Sequence, residues 1–415
     1  MMVGVLPNHN FQDYRSYNIY YSKKYKYFMI KHNINNMKTR ILTFLSLSIL
    51  FISTIYAQQK PYEGVESTYQ NQNFHDVNTY SHKYKSKRPR NVILMIGDGM
   101  GVAQIYAGAT ANKGKLNLDN FKHVGFSRTQ SANRYVTDSA AGGTAIAAGK
   151  KTNNSAVGVD TEGNPIPSVM KIAQENGLAS GVVVTTSMLD ATPADFVAHV
   201  LKRDMMSEIA SQFVSSGVDV FIGGGIEHFS DREDQRNLLD ELTLRGYRVY
   251  DNLDSIKTVK QGKLAGFLKE SKVSKRGNQL EEATEVALDI LDNNRKGFFL
   301  MVEGSEIDGG GHENDMQFTV DEMLDFDKTI GKVLEFAEKD GRTLVIVTAD
   351  HETGGLTITN GNMQTGEVTG RFSTGGHTGV MVPVFAYGPG AEYFTGIDEN
   401  TSFFSKIIKA LRLKR

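Results

Sequence analysis

The chain has 415 residues, no cysteine, no tryptophan, 41 glycines and 8 prolines, with 46 basic against 47 acidic side chains and a formal net charge of −1. Without cysteine there are no disulfide frameworks, thiolate metal sites, cysteine nucleophiles or iron–sulfur clusters, and the near-neutral total gives no nucleic-acid footprint. A hydrophobic share of 40% with 22% charged describes a globular chain, long enough for two or three domains or for one large α/β domain with insertions.

Residues 1–36, rich in Tyr and Asn, precede Met37 and read as an over-extended start or a long leading segment. From Met37 a basic MKTR, an apolar run from Ile41 to Thr54 and Ala57 before Gln58 follow the layout of a secretory signal peptide over 37–57. The run is too short for the roughly 20 residues that span a bilayer, so the expectation is an exported, periplasmic or secreted protein with no membrane anchor after cleavage. Removing residues 1–57 takes away 7 Lys/Arg and 1 Asp, which leaves 39 basic and 46 acidic side chains, a net −7. Residues 58–90 are polar with a basic end and read as an N-terminal arm, part helical, with His75 and His82 at the surface.

From Asn91 the pattern changes to apolar runs bounded by glycine. Val92–Ile96, Val182–Thr186, Val218–Ile222, Phe298–Val302, Leu344–Thr348 and Val382–Ala386 predict buried parallel strands. Helical periodicity covers Val102–Ala111, Ser139–Ala148, Val169–Glu175, Ala194–Val200, Met205–Val214, Asp234–Arg245, Glu281–Asp292, Phe318–Lys339 and Thr401–Leu411. Strand alternating with helix predicts a single α/β domain over 91–415, a three-layer α/β/α sandwich around a mostly parallel sheet. In such sheets sites form beyond the carboxyl ends of the strands. Three predicted strands run directly into Asp98, Glu303 and Asp350-His351.

Other candidate ligands fall in glycine-rich turns: Asp308 and His312 in EIDGGGH, and His377 in GGHTG. Asp and His donors without sulfur suit Zn²⁺, with Mg²⁺ or Mn²⁺ at an all-oxygen position, so the set predicts a two-metal site. In VTDSAAGGTA, Ser139 follows Asp138 at a helix start, either as an ordinary cap or with its hydroxyl turned into the crevice. Gly143 to Lys151 is not a phosphate loop, because five residues separate the two glycines and Lys151 stands where Ser or Thr is required. Thr192-Pro193 opens a predicted helix, and Arg203 beyond it offers a planar fork for phosphoryl oxygens.

The ordered set IGDGMG, VTDSAAGGTA, DATPADFVAH with its Arg, FFLMVEG before Ile307-Asp308 and His312, VTADHETGGL and GGHTG resembles alkaline phosphatase from Asn91 to the C-terminus. The resemblance implies that Ser139 is phosphorylated as nucleophile. It implies two zinc ions, one on Asp308, His312 and His377 and the other on Asp98, Asp350 and His351. It also implies one magnesium on Asp98, Thr192 and Glu303, with Asp190 holding a water. Arg203 would clamp the phosphoryl group and Asp138 would orient it. Substrates would be small phosphate monoesters, and a homodimer is compatible with the family.

Two departures stand out. Many relatives carry Lys or His after the zinc-binding Asp, where this chain has Gly309; the expectation is weaker phosphate retention, measurable as the phosphate inhibition constant of Gly309→Lys. Only 25 residues separate His351 from His377, so the resemblance implies a reduced crown insertion, with the large one of animal relatives mostly absent. A sulfatase would need a Cys- or Ser-x-Pro-x-Arg segment, which is missing. A phosphodiesterase of the same superfamily and a catalytically silent phosphate- or metal-binding protein remain as alternatives. A phosphomutase-like isomerase fits poorly with an export signal.

Overall fold

Residues 66–415 are described by the computed structural model; the leader expected over 37–57 lies outside them. In chain order the strands are β1 Glu66–Gln70, β2 Asn91–Gly97, β3 His123–Arg128, β4 Ala179–Ser187, β5 Val220–Gly224, β6 Tyr247–Tyr250, β7 Lys263–Phe267 and β8 Phe298–Gly304. They continue with β9 Thr343–Thr348, β10 Glu352–Thr353, β11 Thr357–Asn362, β12 Glu367–Arg371, β13 His377–Thr378, β14 Val382–Tyr387 and β15 Gly396–Glu399. Ten of them form one sheet in the order β15-β3-β14-β9-β2-β8-β4-β5-β7-β6. β2, β8 and β9 are buried throughout and mainly apolar because both faces are covered. Val92, Leu94 and Ile96 pack into one helical layer's core, while Ile93 and Met95 pack into the other's.

The apolar run Val382–Ala386 is a strand but not a parallel one: β14 pairs antiparallel with both β3 and β9. The chain reaches it directly from β13, at the carboxyl end of β9. Three residues are too few for the dozen-residue crossover that a parallel neighbour requires. The outer strands β3, β7 and β6 escape the sequence pattern because they are short or only half apolar.

Helices Val102–Ala111, Ser139–Ala148 and Val169–Glu175 coincide with the predicted spans. The helix expected over Ala194–Val200 does not form; the helical turn is Ala191–Ala194. Beyond it, Val200 exchanges backbone hydrogen bonds with Val157 at 3.0 Å each way, and this tertiary pairing replaces the helical ladder. The EIDGGGH glycines are helical rather than a turn, within Glu306–Glu313. A Cβ on Gly310 would stand 2.6 Å from Thr319 N, and one on Gly311 would stand 2.8 Å from Thr353 O. Glycine serves there for close approach, against the long helix Met316–Asp340 and against β10.

The described part of the arm carries β1 and then extended chain, with no helix. β1 joins β12 and β11 in a three-stranded sheet. His75 is not a surface residue: its side chain is 10% exposed and its Nε2 lies 2.8 Å from Asp327 Oδ2. His82 is half-buried, tilted against Tyr387. Among the described residues no helix is long and apolar enough to cross a membrane.

Candidate active site

Registers across the sheet centre align Ile96 with Glu303 and with Thr348, so Asp98, Glu303 and Asp350 leave three adjacent strands at the same edge. Gly99 follows Asp98 with φ +73, and a Cβ there would stand 2.7 Å from the Asp308 Cα. Only glycine both makes that turn and admits the helix carrying Asp308. Asp308 and His312, four residues apart, share one face of that helix. The β10–β13 pair sets Thr353 opposite His377, bringing the two C-terminal motifs together.

Two donor sets result. In the first, His312 Nε2 lies 3.3 Å from Asp308 Oδ2 and 3.2 Å from His377 Nε2, while His377 Nε2 lies 3.6 Å from Asp308 Oδ1. Each ring donates its Nδ1–H to a carbonyl, His312 to Gly375 O at 2.8 Å and His377 to Thr137 O at 2.9 Å. Carbonyls only accept, so each Nδ1 carries its proton and each Nε2 is the atom left facing Asp308, to take a metal ion or, on His312 without one, a proton. In the second set, His351 Nε2 lies 3.4 Å from Asp98 Oδ1, 3.2 Å from Asp350 Oδ2 and 3.1 Å from Ser139 Oγ. Asp98 Oδ1 and Asp350 Oδ2 are buried and have no hydrogen-bond partner. Buried oxygens and ring lone pairs facing one another are unfavourable unless a cation lies among them, so the donors fit divalent ions. Thr192 Oγ1 donates to Asp98 Oδ2 at 3.4 Å, and the buried Glu303 Oε2 is likewise without a partner, an all-oxygen group beside the second set.

The electrostatics point the same way. Burial, then Asp350, Asp308 and Glu303, push the Asp98 carboxyl well above the usual carboxylate range, with Arg203 opposing. Burial, then Asp190 and Asp350, do the same to Glu303. Burial and Asp308 raise Asp350 to about 7. Asp190 is raised by burial, against a bond from Thr186 and the charge of Arg203. Burial and His377 hold His351 well below an ordinary imidazole, so it is neutral. Burial would raise Asp308, but a His312 hydrogen bond and the other two rings hold it low, and the same bond lifts His312 to about 9. The cluster has more negative charge than Arg203 can balance.

Ser139 is the first residue of its helix, but Asp138 is the cap: Asp138 Oδ1 accepts from Ala141 N at 3.0 Å. The Ser139 hydroxyl is therefore free to face His351. Asp138 Oδ2 accepts from Ser155 N at 2.6 Å, and Ser155 O accepts from Arg203 N at 2.7 Å, so Asp138 reaches Arg203 through the Ser155 backbone. Gly309 is partly exposed, and a Cβ there would meet the tip of the Glu306 side chain, Oε2 at 2.2 Å, and Phe318 Cζ at 3.2 Å.

Two residues were not legible as functional. Thr353 donates its hydroxyl to Asp308 Oδ1 and accepts His351 Nδ1–H at 3.2 Å, linking the two donor sets. Glu352 accepts from Thr378 Oγ1 and from Gln104 Nε2, the latter at 2.7 Å, tying β13 to the helix after Asp98. Their place in DHET was the available signal, but a Thr and a Glu in a short strand carry no spacing signature.

A mostly parallel α/β sheet with such a cluster at its carboxyl edge defines a metal-binding α/β enzyme. The alkaline phosphatase family model matches residues 89–370. Alkaline phosphatase 4 of Bacillus subtilis is 32% identical over 466 aligned residues, covering 91% of this chain and 98% of that protein. Alkaline phosphatase from the Antarctic bacterium TAB5 is 41% identical with a TM-score of 0.75, covering 79% of this chain and 100% of that one. A variant of that enzyme solved with Mg bound in its M3 site is 40% identical with a TM-score of 0.74, covering 79% and 99%. The chain belongs to the alkaline phosphatase family and is a metal-dependent phosphatase.

Proposed function

We propose that this enzyme is exported and hydrolyses phosphate monoesters through a phosphoserine on Ser139, at a site for two Zn²⁺ and one Mg²⁺. The observation that carries the reading is the meeting of the Asp98–Asp350–His351 set with the Ser139 hydroxyl, 3.1 Å from His351 Nε2. Donors on a tetrahedral zinc with bonds of about 2.0–2.1 Å stand about 3.3 Å apart. The closest approaches within the two sets, with Ser139 included, run from 3.1 to 3.6 Å. Asp308, His312 and His377 would hold one zinc, and Asp98, Asp350 and His351 the other. Asp98, Thr192 and Glu303 offer oxygen only, which suits magnesium, with Asp190 placed to hold a water.

When bound, such ions supply Lewis acidity that favours an ionised hydroxyl and offsets charge on attacking and leaving oxygens. Ser139 Oγ, its proton lost to solvent, attacks phosphorus, forming the Oγ–P bond as the bond to the leaving alcohol breaks. The N-terminus of the Ser139–Ala148 helix and the Arg203 fork face the charge on the non-bridging oxygens. Water then attacks phosphorus from the leaving-group side, releasing inorganic phosphate and restoring Ser139. With the Nδ1 protons committed to Gly375, Thr137 and Thr353, each histidine has its Nε2 left to offer, and in this reading the zinc ions would take it, so the rings would act as ligands rather than bases. Export rests on the Met37–Ala57 leader pattern, and the exported protein should begin at Gln58 by N-terminal sequencing.

The test is hydrolysis of an aryl phosphate monoester beside a bis-aryl diester, with and without EDTA, with metal analysis of the purified protein. Expected are monoester turnover above diester turnover, loss with EDTA, zinc with magnesium bound, and at least about a thousandfold loss in Ser139→Ala. Faster diester turnover would favour the diesterase reading, and absence of any EDTA-sensitive turnover would favour a silent binding protein.

A further inference from the structure

Asp195 is buried at 1% exposure, next to the proposed machinery but outside it. Its Oδ1 accepts from Thr144 Oγ1 at 2.6 Å, while its Oδ2 has no partner and occupies the space a Cβ on Gly143 would need, 2.2 Å away. Burying an ionisable group against one neutral hydroxyl is costly, where an apolar side chain of similar size would not be. Burial holds the carboxyl well above its ordinary range, against the Thr144 bond. So expensive a residue calls for a reason.

The reason lies in what the pair connects. Thr144 sits one helical stretch beyond Ser139, on the same helix, and is fully buried. Its Oγ1 accepts from Gly158 N at 2.9 Å and directs its own proton to Asp195 Oδ1 at 2.6 Å, in preference to Ala156 O at 3.4 Å. Gly158 ends the loop whose Ser155 carbonyl accepts from Arg203 N. That loop is held in an uncommon shape, with Ser155 at φ +75 and Gly158 at φ +61. Its other fastenings are the Val157–Val200 pair and His199 Nδ1, which donates to Gly158 O at 2.6 Å. Asp195 itself follows the turn bearing Thr192. Three segments therefore meet at one carboxyl–hydroxyl contact: the helix carrying Ser139, the turn carrying Thr192 and the loop that holds Arg203 N.

We propose that Asp195 is a positioning residue: through the Thr144 hydroxyl it fixes the Ser139 helix against the loop that anchors Arg203. The inference rests on the reading of Ser139 as nucleophile and Arg203 as phosphoryl clamp. Neither Asp195 nor Thr144 touches substrate. Their effect is the relative placement of an attacking oxygen and a guanidinium, where an error of about 1 Å costs about a hundredfold in rate.

The test uses the zinc- and magnesium-loaded enzyme and the variants Asp195→Ala, Asp195→Asn, Thr144→Val and Thr144→Ser. Read out are kcat/KM on an aryl phosphate, the inorganic phosphate inhibition constant, bound metal and Tm. Asp195→Ala and Thr144→Val are expected to lose about ten- to a hundredfold in kcat/KM and to bind phosphate more weakly, with metal content unchanged. Asp195→Asn and Thr144→Ser keep an acceptor and a hydroxyl, and should stay within about threefold of the parent; the Ala/Val double variant should be no worse than the poorer single. A purely structural role would lower Tm without moving the phosphate constant of the folded enzyme. Folded Asp195→Ala with unchanged kcat/KM and phosphate binding overturns the proposal, as do Asp195→Asn as damaged as Asp195→Ala, or additive losses in the double variant. If Asp195→Ala fails to fold, an unaltered Thr144→Val overturns it equally. Were the parent inactive on monoesters, the proposed function would fall; calorimetric binding of inorganic phosphate would then still read the tie.

Discussion

Phe326 links core packing to site geometry, and Phe326→Ala tests the link. The side chain is fully buried on the long helix. It lies under the strand ends that deliver two proposed ligands. A Cβ on Gly97 would stand 3.1 Å from Phe326 Cε1, and one on Gly304 would stand 2.7 Å from its Cδ2. Gly97 precedes Asp98 and Gly304 follows Glu303. Removing the ring should cost about 3–5 kcal/mol through lost transfer energy and an incompletely collapsed cavity. At about 2 °C per kcal/mol for a chain of this size, thermal unfolding of the metal-loaded enzyme should fall by about 6–10 °C. Gly304→Ala in the parent should cost about 1–3 kcal/mol by overpacking against the ring. In the Phe326→Ala background the new methyl loses its contacts with the ring at 2.7 and 2.9 Å and keeps only the one with Cβ at 3.1 Å, so that cost should shrink, giving a measurable coupling. Magnesium affinity should fall with Phe326→Ala, because Asp98 and Glu303 lose the surface that sets their strand ends. A drop of under about 3 °C, or Gly304→Ala equally harmful in both backgrounds, would refute the reasoning.

Three further outcomes follow from the donor sets. Zinc at Asp308, His312 and His377 must displace the proton that Asp308 holds on His312, whose pKa is raised to about 9. Apparent zinc affinity should therefore rise with pH up to about 9; the ring is 42% exposed, so water screens the shift and about ten- to a hundredfold is expected from pH 6.5. The metal-free protein should show the opposite slope, since the stabilisation from a raised histidine is complete below pH 6.5 and is lost as pH rises through about 9. Chelator competition across that range checks the first, and a flat profile sinks it. Thr353→Val should lower metal affinity about ten- to a hundredfold, with Thr353→Ser restoring it; equilibrium dialysis against buffered zinc measures this, and unchanged affinity for the Val variant would remove Thr353 from the site.

The amino-acid sequence alone was enough for the central strands and for the candidate ligands on them. β2, β8 and β9 are buried at every position and carry apolar runs because both faces are covered, and Asp98, Glu303 and Asp350 stand where those runs stop. A local pattern of this kind needs no knowledge of the partner. Tertiary structure alone decided what depends on contacts distant in sequence. β14 runs antiparallel because its connection is too short to cross the sheet, and Ala194–Val200 gives up helix because Val157 offers it backbone partners. The glycines beside Asp308 are helical because Thr319 and Thr353 press against them. The protonation pattern, with His312 charged and His351 neutral, is likewise set by which oxygen or carbonyl each ring meets across the fold. A sequence names the groups that can bind a cation; their spacing and the direction of their lone pairs exist only once distant segments are packed.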